Sequence, residues 1–264
     1  MRKHPELLFV FLAFLFSWSW WGWMAWHGLR VVPGGSASHL PGLLGPAFAA
    51  IVVTWLLQGR TGLADLGRRC VTIGHPLRAL GFLLVPSGVA ALTIAALALS
   101  GNALPDKAAF LAYPGVPATL SAVPALALII ILNGFGEELG WRGWLLEHLV
   151  QRHGRLGAAF RVGLIWAVWH IPLFWVNQSM ADMVGPMLAG WLISLLLGSF
   201  VMAHVYFATG RSVLAAALWH VVFNLSVATP ATAGLVAVVT STVVMIWGGL
   251  VIVAWWRQAR SARA

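Results

Sequence analysis

Charged residues are scarce in this chain of 264 amino acids, since only 9% of its residues are Asp, Glu, Lys or Arg. A soluble domain carries about 25% charged residues, so this chain has too few to cover a water-exposed surface. Apolar types make up 60% of the residues, which excludes intrinsic disorder because disordered chains are poor in apolar and aromatic side chains. The composition excludes a soluble enzyme and predicts a polytopic helical membrane protein.

Cysteine is almost absent as well. The single Cys70 allows neither an intrachain disulfide nor a metal site built from cysteines. The formal net charge of +9 would suggest a nucleic-acid partner if the protein were soluble. Here the basic residues lie in short clusters between apolar segments, so membrane topology explains the charge better. We expect a lipid bilayer as the surroundings and no nucleic-acid partner.

Apolar runs of roughly 20 residues, the length of a helix that crosses a bilayer, recur along the whole chain. The eight predicted spans cover residues 7–26, 41–57, 79–100, 120–135, 158–176, 185–207, 213–228 and 234–256. No linker or soluble domain separates them. The sequence therefore predicts an all-α membrane protein, with about eight transmembrane helices enclosing a polar cavity in one domain over residues 1–264.

The basic residues also predict an orientation. The first run follows a basic segment, as in a signal peptide, but it is long, rich in tryptophan and lacks a small-residue cleavage site, so we expect a retained helix. With eight spans, the loops on the side of the termini hold fourteen Arg and Lys residues, Arg142 among them, and the other loops hold only Arg30 and Lys107. Basic loops stay in the cytoplasm. Both termini are therefore expected to be cytoplasmic, in a plasma or inner membrane.

Two adjacent carboxylates, Glu137 and Glu138, close the fourth apolar run. Ionisable groups at membrane depth are costly and usually face an interior cavity. Arg142 lies four residues after Glu138, a spacing that puts both on one helix face. This predicts that Arg142 holds Glu138 ionised as a structural pair and leaves Glu137 free to act as a base. A simpler interpretation, in which the cluster only caps the span, stays open.

Three histidines, His170, His204 and His220, fall within predicted spans. Asn224 follows His220 by four residues, so both side chains reach the same face of a helix. His204 has no such partner and is left out of the candidate site. The remaining histidines, among them His39, are expected to be solvated in loops or termini.

These residues form an ordered set of motifs. In chain order the motifs are Glu137-Glu138-x-x-x-Arg142, Trp166-x-x-x-His170 and His220-x-x-x-Asn224. The set resembles the CPBP family, which comprises CAAX-type prenyl endopeptidases and bacteriocin-processing or immunity proteins and is also called the Abi family of intramembrane proteases. The resemblance covers about residues 120–227, which would form the protease core.

The resemblance implies an intramembrane endopeptidase that cleaves membrane-associated peptide or protein substrates, such as CAAX-like tails or leader peptides. By motif, Glu137 and His170 would activate a water molecule for attack on the scissile carbonyl. His220 and Asn224 would donate hydrogen bonds to the tetrahedral oxyanion, a type of contact whose loss costs about 3–4 kcal/mol of barrier.

Two further residues of the motifs would support Glu137. The resemblance implies that Glu138 and Arg142 orient it. The family usually has phenylalanine where this chain has Trp166, a departure expected to change packing or substrate contact rather than the chemistry. Trp166 is therefore a candidate substrate-binding residue.

A metal ion remains an open alternative. Glu137, His170 and His220 would supply a carboxylate and two imidazoles, the ligand set of thermolysin-like zinc sites. However, the chain has no H-E-x-x-H helix, and Zn²⁺ or another divalent metal would occupy the groups needed as base and oxyanion donor. The favoured interpretation therefore requires no cofactor.

Two non-proteolytic functions compete with the endopeptidase. The first is a non-enzymatic membrane immunity or scaffold protein of the same fold, in which the motifs form only a structural polar core. The second is a proton-coupled transporter, because intramembrane Glu and His residues can form relays. The inverted repeats typical of transporters are not seen in the sequence.

Overall fold

Long helices carry almost all of the regular structure in the computed structural model, which describes residues 4–261. The long helices are α1 (Pro5–Trp26), α2 (Gly45–Arg69), α3 (Pro76–Leu99), α4 (Ala122–Trp169), α5 (Pro186–Ala208), α6 (Val213–Leu225) and α7 (Leu235–Ser261). A 3₁₀ turn, Leu40–Leu44, leads into α2, and the short helix Lys107–Leu111 lies in the connection between α3 and α4. Within the described range there is no β-strand.

Helix lengths and composition confirm an all-α polytopic membrane protein. Six helical segments of the described chain, all of those above except α6, are long and apolar enough to cross a membrane. The α4 segment contains two predicted spans, because Gly154 adopts φ +64° and breaks it into residues 122–153 and 155–169. With these two parts counted separately and the shorter apolar α6 added, the structure has eight apolar helical segments, as the sequence predicts.

Two predicted boundaries were wrong. The fourth span was expected to end near residue 135, with Glu137 at its end, yet the helix continues without a break past Glu137 to residue 153. The fifth was expected to continue to residue 176, but its helix ends at Trp169. Pro172 explains the second difference, since a proline lacks the backbone N–H and disfavours the helical conformation before it. His170 consequently lies at a helix end rather than within a span.

Close backbone contact explains why α4 continues through a glycine-rich segment. A Cβ atom on Gly140 would lie 2.4 Å from Cβ and 2.5 Å from the carbonyl oxygen of Pro46, at the start of α2. A Cβ atom on Gly136 would lie 2.8 Å from the carbonyl oxygen of Leu43. Glycine in a helix costs roughly 0.5–1 kcal/mol relative to alanine, and here packing against α2 offsets that cost. The glycines bring α2 directly against the carboxylates of α4.

Arg142 was wrongly counted among the loop cations. Its side chain is completely buried within α4, so it cannot act as a cytoplasmic topology signal. Three other members of the set of fourteen, Arg2, Lys3 and Arg263, lie outside the described residues. The other ten members lie within the described residues, Arg161 among them inside the second part of α4, and the orientation remains a prediction.

His39 was expected to be solvated, and this was also wrong. Its side chain is only 6% exposed, and the indole nitrogen of Trp21 donates a hydrogen bond to its carbonyl oxygen at 3.0 Å. The loop at Gly115, with φ +81°, packs so closely that a Cβ atom there would lie 2.8 Å from Nδ1 of His39. Burial lowers the pKa of His39 to about 4, so its ring is neutral at physiological pH.

The packing of α4 on α2 predicts opposite effects for two glycine substitutions. Gly140→Ala should lower the free energy of unfolding by about 1–3 kcal/mol, the usual cost of overpacking, because the new methyl group would overlap Pro46. Gly81→Ala is the matched control, since Gly81 lies in α3 with no atom within 4 Å of the new Cβ. It should leave stability unchanged or raise it by up to about 1 kcal/mol. Unfolding curves in detergent micelles would measure both, and equal effects of the two substitutions would contradict the packing.

Candidate active site

The two carboxylates lie in the middle of α4 between two wide helical turns. The π-helical turns are Ile130–Phe135 and Trp141–Leu146, and Gly136–Gly140 lies between them. A π-turn inserts one extra residue and so rotates the side chains that follow; such turns are frequent at functional sites. Glu137 and Glu138 are 2% and 0% exposed, so both require partners inside the protein.

Glu138 has two cationic or donor partners. Nη1 of Arg142 donates a hydrogen bond to its Oε1 at 2.9 Å, and Nδ1 of His220 lies 2.9 Å from the same oxygen. Because a carboxylate only accepts hydrogen bonds, Nδ1 of His220 carries the proton, which leaves Nε2 for another partner. Arg142 is thus placed as the sequence predicts, whereas the contact between Glu138 and His220 is an additional link between α4 and α6.

Both oxygens of Glu137 accept hydrogen bonds. Nδ2 of Asn133, one turn earlier, donates to Oε1 at 2.8 Å. The indole nitrogen of Trp166 donates to Oε2 at 2.7 Å. Glu137 is therefore not the unpartnered base expected from the sequence, but a carboxylate held at both ends. It retains further acceptor capacity, because an ionised carboxyl group offers about four lone-pair sites.

Trp166 makes two contacts that a phenylalanine would not reproduce together. Its N–H group binds Glu137, and the guanidinium carbon of Arg142 lies 4.7 Å from the ring centroid. A cation above an aromatic face is attracted by the ring quadrupole, most strongly for tryptophan. The side chain is 7% exposed. Trp166 therefore links the Glu138–Arg142 pair to Glu137, and its polar atom is directed at that carboxylate.

Asn224 joins the network from the last turn of α6. Its Nδ2 atom lies 2.9 Å from Oδ1 of Asn133 and 3.3 Å from the hydroxyl oxygen of Tyr113. The hydroxyl of Tyr113 in turn lies 3.4 Å from the same Asn133 oxygen. The amide expected to stabilise an oxyanion is thus connected through Asn133 to the carboxylate expected to act as base.

His170 lies beside this network rather than within it. It is the C-terminal residue of the second part of α4, and its Nδ1 atom donates to the carbonyl oxygen of Trp166 at 2.6 Å. That bond fixes the tautomer in which Nε2 carries the lone pair. Three indole rings, of Trp166, Trp169 and Trp191, surround it edge-on at 5.1–5.6 Å. Among the described hydrogen bonds, none joins His170 to Glu137.

The structure therefore brings most of the predicted site together and adds two residues. Hydrogen bonds connect Glu137, Trp166 and, through Asn133, Asn224. A second group is formed by Glu138, Arg142 and His220, and the packing of Arg142 on the Trp166 ring links the two groups. Asn133 and Tyr113 were not predicted. Asn133 precedes Glu137 by four residues, and that spacing was an available signal. Tyr113 lies in a loop that carries no such signal.

A three-ligand metal site does not fit this arrangement. In the part of the chain that the structure describes, no group of three or more His, Cys, Asp or Glu side chains is placed to hold one metal ion. Nδ1 of His220 faces Glu138 rather than Glu137, and no described hydrogen bond joins His170 to Glu137, so the three expected ligands are not directed at one point.

Comparisons with known proteins single out the same part of the chain. A family model described as Type II CAAX prenyl endopeptidase Rce1-like matches residues 119–226. CAAX prenyl protease 2 of Methanococcus maripaludis is 42% identical over 57 residues, which are 22% of this chain and 21% of that protein. The chain thus spans about a fifth of the length of that curated relative. These similarities confirm the resemblance to the CPBP family and support a protease function in general terms.

Proposed function

We propose that this protein is an intramembrane endopeptidase that hydrolyses peptide bonds of membrane-associated substrates with a water molecule activated by Glu137 and His170. The observation that supports the proposal most strongly is the hydrogen-bonded network that joins α4 to α6. It combines the Glu137 carboxylate, the Asn224 amide linked to it through Asn133, and the Nδ1–H of His220, which faces the neighbouring carboxylate Glu138. Such a set is costly to bury and is typical of intramembrane functional sites.

Glu137 is the general base of the proposed reaction. Water gives a proton to its carboxylate, which has free lone pairs beside those used by Asn133 and Trp166. Nε2 of His170 accepts the other hydrogen of the water and positions its oxygen. The oxygen forms a bond to the carbonyl carbon, and the carbonyl electron pair moves to the oxygen. On collapse the C–N bond breaks, and the proton passes from Glu137 to the leaving amine.

The remaining residues stabilise charge and hold the base. His220 donates through Nε2–H to the oxyanion, together with the Asn224 amide, and this requires a proton on both ring nitrogens because Nδ1–H already faces Glu138. The Arg142 guanidinium packs on the Trp166 ring, whose N–H binds Glu137. Glu138 and Arg142 therefore orient Glu137 through Trp166.

We further propose that the reaction needs no metal. Support comes from the placement of the expected ligands, since Glu137, His170 and His220 do not form a group that could hold one metal ion among the described residues. The substrate class includes CAAX-like tails and leader peptides alike, since no side chain of the network distinguishes a prenylated residue from another.

Replacement of the proposed base provides the direct test. Glu137→Gln should abolish cleavage while the protein stays folded, because general base catalysis contributes typically 10²–10⁴-fold. Mass spectrometry of the terminal peptides of membrane proteins, compared between cells with wild type and variant, would detect the products. The matched control is Glu147→Gln, on the same helix and paired with Arg211 at 3.4 Å, which should retain cleavage.

The same assay distinguishes the alternatives. Equal product levels with wild type and Glu137→Gln would contradict the assignment of the base. No products with either protein would favour an immunity or scaffold role. A chelator should leave cleavage unchanged, and loss of cleavage that zinc restores would contradict the metal-free reaction.

We also propose that both termini are cytoplasmic. The support is the excess of basic residues at the helix ends on that side. Burial raises the pKa of the Cys70 thiol to about 11, and a thiol reacts as the thiolate, so the native cysteine should label slowly. Its replacement by alanine gives a background for single cysteines at Asn102 and Gln258, which are both exposed.

Labelling in intact cells then reports the orientation. A membrane-impermeant maleimide should modify Asn102→Cys in intact cells and Gln258→Cys only after permeabilisation. The reverse pattern would contradict the proposed orientation.

A further inference from the structure

The direction of the hydrogen bonds between the two asparagines is determined by Glu137. An ionised carboxylate can only accept, so Asn133 must turn its Nδ2 toward Glu137, at 2.8 Å. The Oδ1 atom of Asn133 therefore faces Asn224. Since an oxygen only accepts from an amide, Asn224 must turn its own Nδ2 toward Asn133, at 2.9 Å. The chain of contacts makes Asn224 present N–H groups, rather than its carbonyl, on this side.

The second N–H group of Asn224 faces Tyr113. The hydroxyl oxygen of Tyr113 lies 3.3 Å from Nδ2 of Asn224, slightly longer than the usual N–H···O distance. The same hydroxyl donates to Oδ1 of Asn133 at 3.4 Å. Tyr113 thus contacts both amides at once and makes no hydrogen bond to Glu137 within the described residues.

Packing holds Tyr113 in this place. Its side chain is 5% exposed, and the loop behind it turns at Gly115 and packs against the buried His39 ring. Burial, reinforced by the negative charge of Glu137, raises the pKa of Tyr113, so the hydroxyl keeps its proton and remains a donor. The residue lies before position 119, where the family match begins.

We propose that Tyr113 and Asn133 are positioning residues that orient the Asn224 amide so that one of its N–H groups is available to the oxyanion of the substrate. The proposal rests on the proposed endopeptidase function. Asn133 accepts a hydrogen bond from one N–H group of the Asn224 amide. The longer bond to Tyr113 orients the other N–H group. When the carbonyl oxygen of the substrate gains negative charge, this second N–H keeps the orientation that Tyr113 gives it and donates to the charged oxygen as well. Such an interaction strengthens in the transition state and so raises kcat.

Removal of the Tyr113 hydroxyl tests this role. Tyr113→Phe keeps the ring in its packed position, and should lower kcat roughly tenfold, a fraction of the 10²–10³ lost with an oxyanion donor itself. KM should stay within about twofold, because the contact acts on the transition state. The chain has only one other tyrosine, Tyr206, whose hydroxyl accepts from Nη1 of Arg69. Tyr206→Phe is the matched control and should leave kcat unchanged.

A double-mutant cycle shows whether the effect passes through Asn224. In the Asn224→Ala background, Tyr113→Phe should cause no further loss of kcat, since the amide that it orients is gone. Full additivity of the two losses would overturn the proposal, as would an unchanged kcat in Tyr113→Phe alone. A rise in kcat would overturn it too, because it would mean that the hydroxyl competes with the substrate for the amide.

A second variant tests the other positioning residue. Asn133→Leu has nearly the same size and loses both polar atoms, and it should lower kcat more than Tyr113→Phe because it also frees Glu137. Wild-type cleavage in the same assay separates a test of the positioning role from a test of the proposed function. A protein that cleaves normally with both substitutions refutes the positioning role alone, whereas an inactive wild type refutes the proposed function.

Discussion

The buried charge of Glu138 is the constraint on which the rest of the site depends. A carboxylate with no exposed surface in a membrane-embedded helix is stable only with close partners, and it has two, Arg142 and His220. Arg142 comes from the same helix, but His220 requires that α6 pack directly against α4. Removal of Arg142 would leave an uncompensated charge in the interior, and removal of His220 would take away the hydrogen bond that reaches Glu138 from α6. The pairing that stabilises the helix packing thereby also positions an imidazole beside Glu137.

Close packing makes this arrangement sterically feasible. Glycines on α4 allow α2 to approach to backbone contact, and the π-helical turn before the carboxylates rotates them toward the interior. The Trp166 indole then connects Arg142 with Glu137. Each of these contacts stabilises the fold and, in the proposed reaction, orients the base. The site and the core of the bundle are therefore formed by the same contacts.

Local spacing in the sequence predicted the helices and the pairing of Glu138 with Arg142, because both depend on residues within a few turns of each other. The contact between Glu138 and His220 joins residues far apart in the chain, and no periodicity indicates it. The burial of His39 and the contacts of Tyr113 could not be predicted from the sequence either, because they depend on how loops pack over the helix ends. A histidine in a loop is expected to be solvated, but tertiary packing buries His39. The motif residues and the Glu138–Arg142 pair were identified, and the other partners were not.

A hydrogen bond between Glu138 and His220 joins α4 to α6. The most direct measurement is a double-mutant cycle on the free energy of unfolding in bicelles, with Glu138→Gln, His220→Gln and both together. Contacting residues in one network couple by about 0.5–3 kcal/mol, and the structure predicts a coupling in the upper part of that range because both side chains are buried. Additive effects of the two substitutions would contradict a stabilising hydrogen bond between Glu138 and His220.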